Sequence, residues 1–147
     1  MWGKEYDLER IYYFSALAKH RIPIDPNVVI RHEKFLSCLK ATGIVELANF
    51  KEKDVYCDHC KTFTKHHIEK ETDVALSVKL LELFIENSCD IVIIMSGDTD
   101  IAPAIRTAKK LYPKKEIYCA FPYRRKNKEV NSICPRSIKI KKRNISC

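Results

Sequence analysis

Two acidic segments and one close cysteine pair hold most of the side chains in this sequence that can do chemistry. Ser96-Gly97-Asp98-Thr99-Asp100 follows directly on the apolar run Asp90–Met95. In open parallel sheets, ligands bind beyond the carboxyl ends of the strands, so a strand over that run puts both aspartates where a site is built. Gly97 permits the tight turn that brings them close. Two carboxylates this near each other repel unless a cation or proton intervenes, and an oxygen-only cluster suits Mg²⁺ or Mn²⁺. The competing role for Asp98 or Asp100 is to cap the next helix. Asp73 follows Lys70-Glu71-Thr72 at the start of the preceding helix. A junction there can approach the carboxyl end of a central strand, or its charge can simply complement the helix macrodipole. Glu69 and Glu71 share that ambiguity.

Cys57-x-x-Cys60, with His66 and His67 a few residues on, has ligand types and spacing able to bind Zn²⁺ tetrahedrally. His59, between the cysteines, is a poorer ligand candidate. Unligated thiols are the plain alternative, since full zinc sites usually show two well-spaced pairs. The other cysteines are scattered in apolar surroundings, where thiols behave as small hydrophobes, and their total of seven is odd, so no disulfide framework is expected.

Charge is unevenly spread. Residues 1–105 carry 13 Lys/Arg against 17 Asp/Glu, whereas residues 106–147 carry 14 against 2. The basic end includes Arg124, Arg125, Lys126, Lys128, Arg136, Lys139, Lys141, Lys142 and Arg143. An acidic body with a basic end is the footprint of a phosphate-backbone binder whose catalytic centre is itself negative; a solvated tail is the bland reading.

The elements that must position these groups follow from periodicity. Glu9–Leu17 reads as a strand, stopped by Pro23 and Pro26 in the loop after it. Asn27 then caps a helix over Val28–Lys40, Gly43 closes it, and a second strand runs Ile44–Phe50. Residues 51–70 are polar and read as an inserted loop or hairpin. A helix over Asp73–Glu86, capped by Thr72, shows an apolar stripe at Val74, Val78, Leu81 and Ile85, widened by Leu76, Leu80 and Leu83, which implies deep burial. Asp90–Met95 has the continuous apolar pattern of a parallel strand covered on both faces. Pro103 restricts the next helix to a start near Thr99 or Asp100, and it reaches about Leu111. Glu116–Phe121 is another strand, and Ile138–Lys142 a short edge strand. This alternation predicts a single three-layer α/β domain with a mainly parallel central sheet, and a length of 147 residues suits one domain. The longest apolar run, Ile91–Met95, is too short to span a bilayer, and no apolar signal core opens the sequence, so a cytoplasmic protein without a membrane partner is expected.

Glu69-Lys70-Glu71-Thr72-Asp73-Val74, a long helix, and then Val92-Ile93-Ile94-Met95-Ser96-Gly97-Asp98-Thr99-Asp100 with Pro103 resembles the NYN branch of the PIN-like nucleases, over roughly Tyr6 to Lys142. The resemblance implies a PIN-like, Rossmann-like fold. It also implies a metal pocket built from Asp73, Asp98 and Asp100, with Ser96 as polar neighbour. The implied activity is a metal-dependent ribonuclease that hydrolyses RNA phosphodiester bonds through Mg²⁺ or Mn²⁺. RNA is then the expected partner, contacted by Arg124, Arg125, Lys126, Lys139 and Lys141, with a homodimer as a further expectation. Tyr118, Phe121 and Tyr123 can stack on bases or belong to the core. The family also takes an aspartate from a first strand, for which this sequence shows no segment. The residues present begin at the family's second strand, so the Glu9–Leu17 and Asp90–Met95 strands are expected to face a gap, and a chain extended upstream to be more stable and more active. Two other readings remain from sequence: an RNA-binding domain with weakened catalysis, and a partner-binding regulatory domain whose aspartates are caps.

Overall fold

A computed structural model describes residues 6–140 other than 42, 125 and 135, without the side chains of Glu69 and Lys139. The chain divides into two compact units, Met1–Thr72 and Asp73–Cys147, and among the described residues the strands form two three-stranded sheets, β1-β2-β3 and β4-β5-β6. This is a mixed α/β structure with parallel pairing in both sheets, as the sequence predicts. β1 and β4, the strands expected to flank the absent first strand, do not pair with each other; each pairs within its own set.

In the first unit, β1 (Tyr12–Ala16) pairs in parallel with the start of β2 (Ile44–Cys57). The helix between them, α1 (Val28–Lys40), has the predicted bounds. It lies against the sheet through Tyr13–Phe35, an edge-to-face pair with ring centres 5.8 Å apart, and through Ser15 Oγ, 3.3 Å from His32 Nε2. Asn27 occupies the N-cap position without a side-chain cap. Asp25 orders the entry instead, accepting from the Asn27 N–H and from the Arg31 guanidinium. Gly43 is required by close approach: a Cβ there would lie 2.6 Å from the Ile11 carbonyl oxygen, which accepts the Ile44 N–H.

The polar segment 51–70 is a hairpin. The remainder of β2 pairs antiparallel with β3 (Thr62–Lys70), from Asn49↔Lys70 to Cys57↔Thr62. Its arms lack the one-sided apolar alternation of a covered strand, because most of their side chains are exposed.

In the second unit, β5 (Glu116–Phe121) runs between β4 (Ile91–Ile94) and β6 (Ser137–Lys139), parallel to both. The core joins Phe121 and Cys119 of β5, Ile94 of β4, Leu80 and Phe84 of α2 (Thr72–Ile85), Ile101, Ile105 and Ala108 in and before α3 (Ala102–Leu111), and Val130 of α4 (Lys128–Ile133). The face of α2 differs from the expected stripe. Leu80 and Phe84 are each 2% exposed, whereas Val74, Val78 and Ile85 are 66%, 56% and 68% exposed. The apolar arc of this helix is wider than the face it packs, and the packed face is centred on Leu80 and Phe84. Helix α4 has no counterpart among the elements expected from periodicity. No described helix is long and apolar enough to cross a membrane.

Phe84 is buried in this core and packs edge-to-face on Tyr112, ring centres 5.7 Å apart. Phe84→Ala is expected to cost about 3–5 kcal/mol of stability, the range for deleting a buried aromatic. A denaturant midpoint unchanged from wild type would contradict that core assignment.

Candidate functional site

Because β4 and β5 are parallel and in register from Ile91↔Glu116 to Ile94↔Cys119, the chain leaves both strands at the same edge. There the segment after β4 and the segment after β5 bound an open cavity of about 630 Å³, lined by Met95, Ser96, Gly97, Asp98, Thr99, Pro122 and Asn127. This is the crevice at strand carboxyl ends where open α/β sheets hold ligands.

The turn after β4 is ordered by its own side chains. Ser96 Oγ accepts the Asp98 N–H at 3.1 Å, and Asp98 Oδ1 accepts the Asp100 N–H at 3.1 Å. Neither aspartate caps α3: the N-cap position is Ile101, with no side-chain cap, and Pro103 lies in the first turn. Asp98 therefore shapes the turn ahead of the helix, and Asp98 and Asp100 are both exposed.

Across the cavity stands Asn127, which no sequence motif singles out. Its Oδ1 accepts the N–H groups of Glu129 and Val130 at 2.8 and 3.2 Å, capping α4. That leaves the amide nitrogen as the group with which it can donate to a ligand. The local signal is an asparagine opening a short segment with Glu129 in its first turn.

The three aspartates singled out by motif are only partly brought together. Asp98 lines the cavity, Asp100 sits two residues on in the same turn, and Asp73 lies in the first turn of α2, outside the lining. Among the described residues no three His, Cys, Asp or Glu side chains stand close enough to hold a metal ion. In kind, the donors do fit a hard cation: a carboxylate, hydroxyls and an amide supply only oxygen and nitrogen atoms, and Mg²⁺ commonly keeps several waters while taking one or two carboxylates.

The family profile for the NYN domain matches residues 4–141. The chain belongs to the NYN domain family. No curated protein matches it. Among solved structures, a protein of unknown function from Vibrio parahaemolyticus has the same fold, with a TM-score of 0.62 and 17% identity, over 90% of this chain and 69% of that one.

In this NYN domain the basic residues beside the cavity are Arg124 and Lys126, both exposed on the loop between β5 and α4. Arg124 takes a positive φ of 60° and its guanidinium lies over the Tyr123 ring, 5.2 Å from the centroid. Of the three aromatics considered for stacking, Tyr118 and Phe121 are core and Tyr123 is 41% exposed. Tyr118 instead hydrogen-bonds Glu116, and Arg136 donates to both, which ties β5 to the residue before β6. The Tyr118 hydroxyl, ahead of Arg136, holds the Glu116 carboxyl below its ordinary range. Arg125 and Lys141 lie outside the described residues, and Lys139 is a β6 residue whose side chain is not described.

The cysteine–histidine group separates. Cys57 and Cys60 flank the hairpin turn, Cys57 pairing with Thr62 across the ladder. The Thr62 hydroxyl, 3.0 Å away, and then the Cys57 thiol lower the pKa of Cys60. His66 pairs with Lys53, four rungs down from Cys57, about 13 Å along the strand at the usual rise. His66 contacts Thr64, and His67 stacks on His20 with ring centres 4.3 Å apart. Cys119 and Cys134 are core residues, and the neighbouring Cys134 thiol together with burial pushes the Cys119 pKa up.

Asn127→Ala removes the cap that anchors one wall of the cavity. The expected loss is about 1 kcal/mol of stability, typical for an N-cap deletion, and it should be seen in chemical denaturation. Full stability in that variant would show that the loop is held by other contacts.

Proposed function

We propose that this NYN domain is a metal-dependent ribonuclease that hydrolyses RNA phosphodiester bonds. The observation that carries the reading is the open cavity beyond the carboxyl ends of β4 and β5, with Asp98 and Ser96 on one wall and Asn127 on the other. Asp98, which lines the cavity, is the carboxylate that would hold Mg²⁺ or Mn²⁺ there, with Asp100 and Asp73 as the further carboxylates the motifs supply. When bound, the ion supplies charge neutralisation at the phosphate oxygens and a more acidic attacking water. The chain's own contribution is positioning. Ser96 and Asp98 fix the turn before substrate arrives, through the two 3.1 Å bonds to backbone N–H groups. The Asn127 amide can donate to a phosphate or ribose oxygen, and Arg124 and Lys126 can bind the RNA backbone outside the cavity mouth. Tyr123, already under the Arg124 guanidinium, offers a face for a base.

A second reading, RNA binding with weakened catalysis, is favoured by one observation: of the three aspartates, only Asp98 lines the cavity. Cleavage assays on single-stranded RNA with and without Mg²⁺ separate the two. Asp98→Asn is expected to lower Mg²⁺-dependent cleavage at least about a hundredfold, the scale for losing one electrostatic partner of the transition state. RNA affinity should survive that change. Tight binding by the wild type without any Mg²⁺-dependent cleavage would select the second reading.

The basic loop is tested separately. Replacing Arg124 and Lys126 together by Ala should weaken binding across RNA sequences and flatten the dependence of log affinity on log salt by about 0.7 for each phosphate no longer neutralised. An unchanged slope would remove this loop from the RNA path.

A further inference from the structure

We propose that the hairpin tip is half of a tetrahedral zinc site, Cys57 and Cys60 giving two thiolates and the same two residues of a second copy of this chain giving the others. The geometry of the tip supports the first half. Cys57 closes the β2–β3 ladder opposite Thr62, and Cys60, in the turn, has its Sγ 3.0 Å from the hydroxyl of that same Thr62, so both cysteines meet at one residue. Two cysteines on one tight turn can supply one edge of a tetrahedron with zinc–sulfur bonds of about 2.3 Å. The turn is closed by the Lys61 N–H donating to the Cys57 carbonyl at 2.8 Å, with Lys61 at a positive φ of 54°. This folds the backbone so that both cysteines lie on one short loop.

The second half follows from what the tip lacks. Structural zinc takes four ligands, and soft thiolates favour it over hard cations. The histidines nearest in sequence after the turn are engaged elsewhere, His66 with Thr64 and His67 on His20. Among the described residues no third His, Cys, Asp or Glu joins the pair. A second tip supplies the missing two donors by symmetry, as a twofold dimer requires.

The hairpin is suited to that encounter. β1 pairs only with Ile44 to Ala48, so the ladder from Asn49 to Cys57 continues past it and ends in the thiols. Residues 52–65 carry three acidic and three basic side chains, so two tips meet without net repulsion although the chain as a whole is +8. Next to the thiols, Tyr56 and Phe63 form an exposed cross-strand pair with ring centres 5.1 Å apart, and they offer a second tip apolar surface. Assembly displaces one proton from each of four thiols as four zinc–sulfur bonds form, with no change of oxidation state.

Reduced, metal-free protein is titrated with Zn²⁺ alone while bound zinc and molar mass are measured, and Co²⁺ is used as a spectroscopic substitute. The expected result is one zinc per two chains, a zinc-dependent dimer, and the absorption of a four-thiolate tetrahedral cobalt site. Cys57→Ser and Cys60→Ser should each lose the dimer and the thiolate spectrum while keeping wild-type circular dichroism. His59→Ala and His66→Ala should leave the stoichiometry unchanged. One zinc per monomer, no zinc uptake at micromolar metal, or a dimer that survives in Cys60→Ser would overturn the proposal.

Discussion

Strand β5 has five of its six residues buried, and the second unit depends on how that strand is satisfied. A strand with both faces covered needs ladder partners at both edges and apolar side chains above and below. β4 and β6 supply the edges in parallel register, while α2, α3 and α4 contribute Phe84, Ile105 and Val130 to the same cluster. Parallel pairing then has a geometric consequence: β4 and β5 end at one edge, and the turns that follow them must share it. The cavity between Asp98 and Asn127 is the product of that constraint.

The polar groups at this edge are held by short local bonds. Ser96 to the Asp98 N–H, Asp98 to the Asp100 N–H, and Asn127 to two N–H groups of α4 each satisfy a backbone donor near the cavity. Such bonds set side-chain direction with little help from the core, so the site can remain open to solvent while its walls stay ordered. Arg124 and Tyr123 belong to the same loop and extend it outward as a cationic, aromatic surface.

The first unit solves a different problem with one long strand. β2 spends Ile44 to Ala48 on β1 and Asn49 to Cys57 on β3, changing from a parallel to an antiparallel partner within 14 residues. The change carries the cysteine pair away from the helix-covered part of the sheet. His67, stacked against His20 near the base of the arms, braces the hairpin and leaves the thiols as the chemically soft group at its tip.

Much of this was legible in the residues alone. Helix α1 and strand β5 have the bounds that capping and apolar pattern indicate, and Ser96 to Asp100 follows strand β4 as its sequence implies, but that strand is not covered on both faces as expected: Ile94 is buried, whereas Ile93 is 44% exposed. These are local determinations, set by propensity, periodicity and the restriction at Pro103; Gly97, expected to supply the freedom for the turn, does not take a positive φ. The family, too, was readable, because its two acidic motifs keep their order and spacing. Other features required tertiary contacts. The β2–β3 arms are polar on both faces, so only cross-strand hydrogen bonding distinguishes them from a loop. Helix α4, at six residues, is too short for periodicity to register. The exposed and buried arcs of α2 are both apolar, and only the position of the packed neighbours decides that Leu80 and Phe84 go inside. The same holds for the site: sequence names Asp73, Asp98 and Asp100, but the cavity opposes Asp98 to Asn127, because the wall opposite a turn is chosen by strand pairing and not by the turn itself.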